Sequence, residues 1–167
     1  MTLVLDWRST RPIPAFASPE PLTAGEQIVT RQHYETLQEV FDDAYCGLAA
    51  QGFVKSTQKL FAIGSDEYLH ASCAYRGVDG RRCAIGHCIP DDLYTGKMEG
   101  ASVGTSASGF IEAFEVFARL FGLISINDIR RLQDMHDGAS SPGSMKDRLA
   151  DFAQEHGLTI PSIEGAA

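Results

Sequence analysis

The sequence has no apolar run near the roughly 18–20 residues needed to span a bilayer. Its N-terminus also lacks the basic-then-apolar layout of a secretory leader, so no membrane role is expected and the cytosol is the expected location. Positive charge is scarce: 14 Lys and Arg stand against 22 Asp and Glu, for a net charge of -8. Nonspecific nucleic-acid binding needs clustered cations and is disfavoured. Phosphate loops are missing too, because Gly77, Gly80 and Gly86 form neither a Gly-Lys-Ser/Thr ending nor a Gly-x-Gly-x-x-Gly pattern. Tryptophan occurs once, as Trp7, and reads as a packing anchor. Cysteine occurs four times; a reducing cytosol keeps such thiols free, and a chain of this length holds a core without staples.

What is present suits a folding chain: 44% apolar and 22% charged residues in a length fit for one domain. Residues 1–29 carry Pro12, Pro14, Pro19 and Pro21 and read as an extended arm. Residues 30–160 read as a single domain and 161–167 as a flexible tail. From Thr30, taken as an N-cap, Tyr34, Leu37, Phe41, Tyr45 and Leu48 recur at helical spacing up to Gly52. Glu35, Glu39, Asp42 and Asp43 mark the opposite, acidic face, and Cys46 lies beside the apolar stripe.

Between residues 53 and 89 the helical period is lost. "KLFAIG" reads as a strand, and "ASCAYRGVDGRRCAIG" as a hairpin folded about Val78, with Cys73 facing Cys83. A one-residue slip would pair Ala74 with Cys83 instead. "IPDD" suits the first turn of a short helix, and "GASVGTSASG" a surface loop. Three helices are expected after it. The first carries Phe110, Phe114, Phe117 and Phe121; the second is boxed by Ser125 and Asp128 and carries Ile129, Leu132 and His136; the third starts at Ser144 and stops at Gly157. The fold class is therefore α+β, a small antiparallel hairpin sheet packed on about four α-helices.

Chemistry concentrates in one stretch. His70, Cys73, Cys83 and His87 offer the four ligands of a tetrahedral zinc site, with Cys88 as a fifth donor, but the spacing lacks the two close knuckle pairs of most structural sites. The plainer reading leaves the cysteines as small packing residues and the protein without a cofactor. A cysteine nucleophile would draw an electropositive setting from Arg76, Arg81 and Arg82 and a base from His87, or from His136 beside Asp137. The same arginines, with Asp91 and Tyr94, form a candidate partner-binding spot.

The segments "CAYRGVDGRRCAIGHCIPDDLYTGKMEG" and "LQDMHDG" resemble those of small uncharacterised proteins of bacteriophages and prophages. That set shares a Cys-x-Tyr-Arg-Gly-x-x-Gly-x-x-Cys-Ala-x-Gly hairpin, an Ile-Pro-Asp-x-x-Tyr segment and a Leu-Gln-x-x-His-Asp helix end. The resemblance implies no particular activity. The first expectation is a non-enzymatic accessory protein of phage type that binds a host or phage protein, of which an inhibitor of host defence is one form. The alternative is a zinc-binding or Cys/His-dependent enzyme centred on residues 73–88.

Overall fold

Thr36 opens the first helix: its Oγ1 accepts from the Glu39 amide at 3.2 Å, and Glu39 Oε2 accepts from the Thr36 amide at 2.9 Å. This reciprocal cap satisfies amides that a helix start leaves unpaired. The computed structural model describes residues 33–61, 68–77, 79–104 and 111–163. The proline-bearing arm, Trp7, Thr30, Phe110 and residues 164–167 lie outside them. Helix α1 runs Leu37–Ala50 and buries Val40, Phe41, Ala44 and Leu48. Tyr34 precedes the helix rather than opening it. Its amide reaches the Leu120 carbonyl at 3.0 Å and its hydroxyl donates to Asp43 at 2.7 Å.

The expected hairpin is displaced toward the N-terminus. Strands β1 (Thr57–Phe61) and β2 (Tyr68–Cys73) pair antiparallel, with Thr57 opposite Cys73 and Leu60 opposite His70. Cys73 therefore ends the ladder instead of starting one. Beyond it, among the described residues, the ladder is reduced to the bridge Arg76–Arg82, and Gly77 donates to the Arg81 carbonyl at 2.8 Å while Gly80 takes φ 79°. The second arm cannot continue as a strand because it coils into helix α2, Ala84–Cys88, with Cys83 as its N-cap.

Four further corrections follow the chain. The "IPDD" segment forms a turn after a helix, closed by the Leu93 and Tyr94 amides on the Pro90 carbonyl. After a short 3-10 turn, Gly96–Met98, the expected surface loop starts as core: Ala101 and Val103 are buried, and Tyr75 Oη donates to the Ala101 carbonyl at 2.6 Å. Helix α3 covers Ile111–Phe121 and α4 covers Ile126–Asp137, where Ser125 caps without a side-chain bond. Helix α5 runs Pro142–His156, so its cap is Ser141 rather than Ser144, and proline takes the first turn where no amide partner is lost. Gly157 closes it at φ 65° as read.

Helices dominate the described residues. α1 packs on α2, and α4 on α5. The Phe41 and Phe152 rings stack 6.1 Å apart, and Tyr34 stacks 5.5 Å from Phe121, tying the entry of the domain to α3. Each such side chain contributes about 1.5–3 kcal/mol on full burial. Among the described residues no helix is long and apolar enough to cross a membrane.

Candidate active site

The end of β2, the cap of α2 and the last turns of α4 meet at one point, and they bring Cys73, Cys83, Gln133, His136 and Asp137 together. The three α4 residues stand at i, i+3 and i+4, which puts them on one helix face.

His136 is fully buried and its two ring nitrogens meet different chemistry. The Ser56 amide donates to Nε2 at 3.3 Å. A nitrogen that accepts is unprotonated, so the proton of the neutral ring sits on Nδ1. Nδ1 lies 2.9 Å from Asp137 Oδ1 and 3.3 Å from Cys73 Sγ. Gln133 Nε2 lies 3.2 Å from the same sulfur and 2.6 Å from Asp137 Oδ1. Its orientation is fixed from behind, because Gln133 Oε1 accepts from the Ile85 amide at 3.1 Å. Two N–H donors on α4 thus converge on Cys73 Sγ.

The neighbouring Cys83, then burial, push the Cys73 thiol well above its ordinary range, against a downward pull from His136. The sulfur rests protonated. Burial alone would raise Asp137, but hydrogen bonds from His136 and Cys73 outweigh it and hold the carboxyl below the usual carboxylate range. For His136 burial is the largest influence and lowers it, yet Asp137 and Cys73 carry the balance upward. The Ser56 amide opposes that rise, since a second proton would have to sit on Nε2 and face an N–H.

Beside these groups opens a cavity of about 310 Å³, lined by both thiols and by Tyr75, Arg130, Gln133 and Asp137 among others. Arg130 is held at its wall by donation from Nε to the Val103 carbonyl at 3.0 Å.

The other sequence candidates fall elsewhere. His70 sits on β2, and its side chain lies outside the described ones. His87 leaves the cluster: its Nε2 meets Gln51 Oε1 at 3.1 Å, and its ring fills the space over Gly47. Burial, then Arg82 and Arg76, hold it down to about 4. Cys88 is buried, with its thiol directed at the Val40 and Ala84 carbonyls, both at 3.6 Å. Arg76 donates to the Gly86 carbonyl, to the Ile89 carbonyl at 2.6 Å and to Asp91 at 2.9 Å, and it lies over the Tyr94 ring at 5.0 Å. Arg82 shares Asp91 at 2.8 Å, Arg81 pairs with Asp79, and Tyr94 donates to Glu99 at 2.9 Å. The arginine spot is a strap that holds α2 to the turn.

Sequence reasoning did not single out Gln133 or Ser56. Gln133 was reachable through its spacing to His136; the Ser56 amide carries no side-chain signal. The chain matches no family model, no curated protein and no solved structure.

Proposed function

We propose that the chain is a thiol-dependent enzyme in which Cys73 attacks an electrophilic carbon of a small substrate held in the adjoining cavity. The observation that carries this reading is the convergence of Gln133 Nε2 and His136 Nδ1 on Cys73 Sγ, at 3.2 and 3.3 Å. Donors aimed at a sulfur stabilise the negative charge it carries as a nucleophile. Asp137 orients the Nδ1 proton at 2.9 Å, and its carboxylate, within 4.8 Å of Cys73 Sγ, is the group to take the thiol proton. The test is alkylation by iodoacetamide, mapped by peptide mass across pH, with the exposed Cys46 as internal reference. Gln133→Leu should move the Cys73 midpoint up by about one pH unit and slow its labelling near neutrality about tenfold, leaving Cys46 unchanged. Equal Cys73 rates in both proteins would overturn the reading.

A zinc reading of the same cluster has one observation in its favour: ligand atoms of Cys73, His136 and Asp137 lie within 4.8 Å of one another. Against it, an imidazole that ligates through Nδ1 carries its proton on Nε2, where the Ser56 amide already points. One zinc per chain in native mass spectra, lost on Cys73→Ser, would favour it over the metal-free nucleophile. The accessory role, binding a host or phage protein, draws support from the net charge of -8 and from the exposed Ile111 and Phe114 of α3. It calls for one stoichiometric partner in cross-linked host lysate, lost on Phe114→Glu.

A further inference from the structure

We infer that Cys83 is a resolving thiol for Cys73, so that a hydroperoxide entering the cavity converts the pair into a reversible Cys73–Cys83 disulfide. The inference rests on the reading of Cys73 as a reactive sulfur. Its own support is the placement of the second thiol. No disulfide joins the two side chains, and Cys83 stands near enough to Cys73 to raise its thiol. Both line the same cavity of about 310 Å³, which admits an oxidant of a few heavy atoms. Their exposure sets the order of events: Cys73 is half-buried and meets the oxidant first, whereas Cys83 is 1% exposed and waits behind it.

The chemistry closes without a further reactant. Cys73 Sγ gives an electron pair to one peroxide oxygen and the O–O bond breaks. The thiol proton leaves with the other oxygen as an alcohol or water, and a sulfenic acid remains on Cys73. Cys83 Sγ then displaces the sulfenic hydroxyl: the S–O bond breaks, the S–S bond forms, and water departs with the Cys83 proton. A thiol reductant reverses both oxidations.

Disulfide formation has a structural consequence as well. Cys83 Sγ accepts the Gly86 amide at 3.3 Å as the cap of α2. A sulfur drawn toward Cys73 gives up that bond, and the start of α2 loses its side-chain partner. Oxidation therefore removes the nucleophile and loosens one wall of its cavity together.

The experiment uses the full reduced chain and hydrogen peroxide. Alkylatable thiols in the denatured chain should fall from four to two, the mass should drop by two hydrogens, and a peptide pair joining Cys73 to Cys83 should appear and vanish with dithiothreitol. In Cys83→Ser the oxidised Cys73 should instead be captured by dimedone. Oxidation of Cys73 to sulfinic acid with Cys83 still free, or a cross-link through Cys46, would overturn the inference. If alkylation of Cys73 still depends on Gln133 in that case, the nucleophile stands and only the resolving role is lost. A Cys73 inert to both peroxide and iodoacetamide removes both. The wild-type cross-link is read without any variant, so a misfolded substitution leaves the test intact.

Discussion

Gln133→Glu isolates the electrostatics of the site with almost no change in shape. The Oε1 acceptor for the Ile85 amide is retained, so no buried donor is orphaned. The other atom changes from a donor to an oxygen 2.6 Å from Asp137 Oδ1 and 3.2 Å from Cys73 Sγ. Two carboxylates at that separation cannot both ionise cheaply, and the pair keeps a proton to a higher pH than the unfolded chain does. A rise of about two units corresponds to about 2.7 kcal/mol. The folded state then binds more protons than the unfolded one, so the stability of the variant falls as pH rises. Its penalty is absent below the unfolded carboxyl value of about 4.3 and complete above the raised folded value. Melting curves of both proteins should differ by about 10 °C near neutrality, with the gap closing as the pH approaches about 4.3. A gap that stays constant would mean that Gln133 does not face Asp137.

Gly86→Ala drives a Cβ into the Tyr75 carbonyl oxygen and should cost about 1–3 kcal/mol, read as a lower urea midpoint. Asp91 and Arg76 form an ion pair with unequal consequences. Removing Asp91, whose side chain is 77% exposed, should change stability by less than about 1 kcal/mol. Arg76→Ala strips donors from the Gly86 and Ile89 carbonyls and should cost about 1.5–3 kcal/mol in the same assay. His87, held at about 4, should show no ring titration by NMR between neutrality and its lowered value. Because the unfolded ring protonates first, its contribution to stability is complete above the ordinary value of about 6.5 and is lost as the pH falls toward about 4.

The helices were legible where burial imposed a long period, as at Ile129, Leu132 and His136 of α4. Boundaries were less so: Thr36 and Thr30, or Ser141 and Ser144, are equivalent as cap chemistry, and tertiary packing chooses between them. The run "CAIG" reads as a strand because a helix of five residues is too short to reveal its period. Cys83 caps through sulfur, outside the usual Ser, Thr, Asp and Asn signals. Cys73 and Cys83, expected to face each other across a ladder, instead line one cavity from the end of β2 and the cap of α2. The union of Cys73 with His136, 63 positions apart, has no local signature at all.

Ser56 and Cys73 are fastened to each other before either meets α4. Thr57 is in register with Cys73, and the Ala74 amide bonds the Ser56 carbonyl at 3.3 Å. The amide that dictates the imidazole tautomer and the sulfur facing that imidazole thus ride on one piece of ribbon. Tilting the ribbon against α4 would lengthen both distances in the same stroke, making it a lever that couples the tautomer of the imidazole to the reach of the thiol.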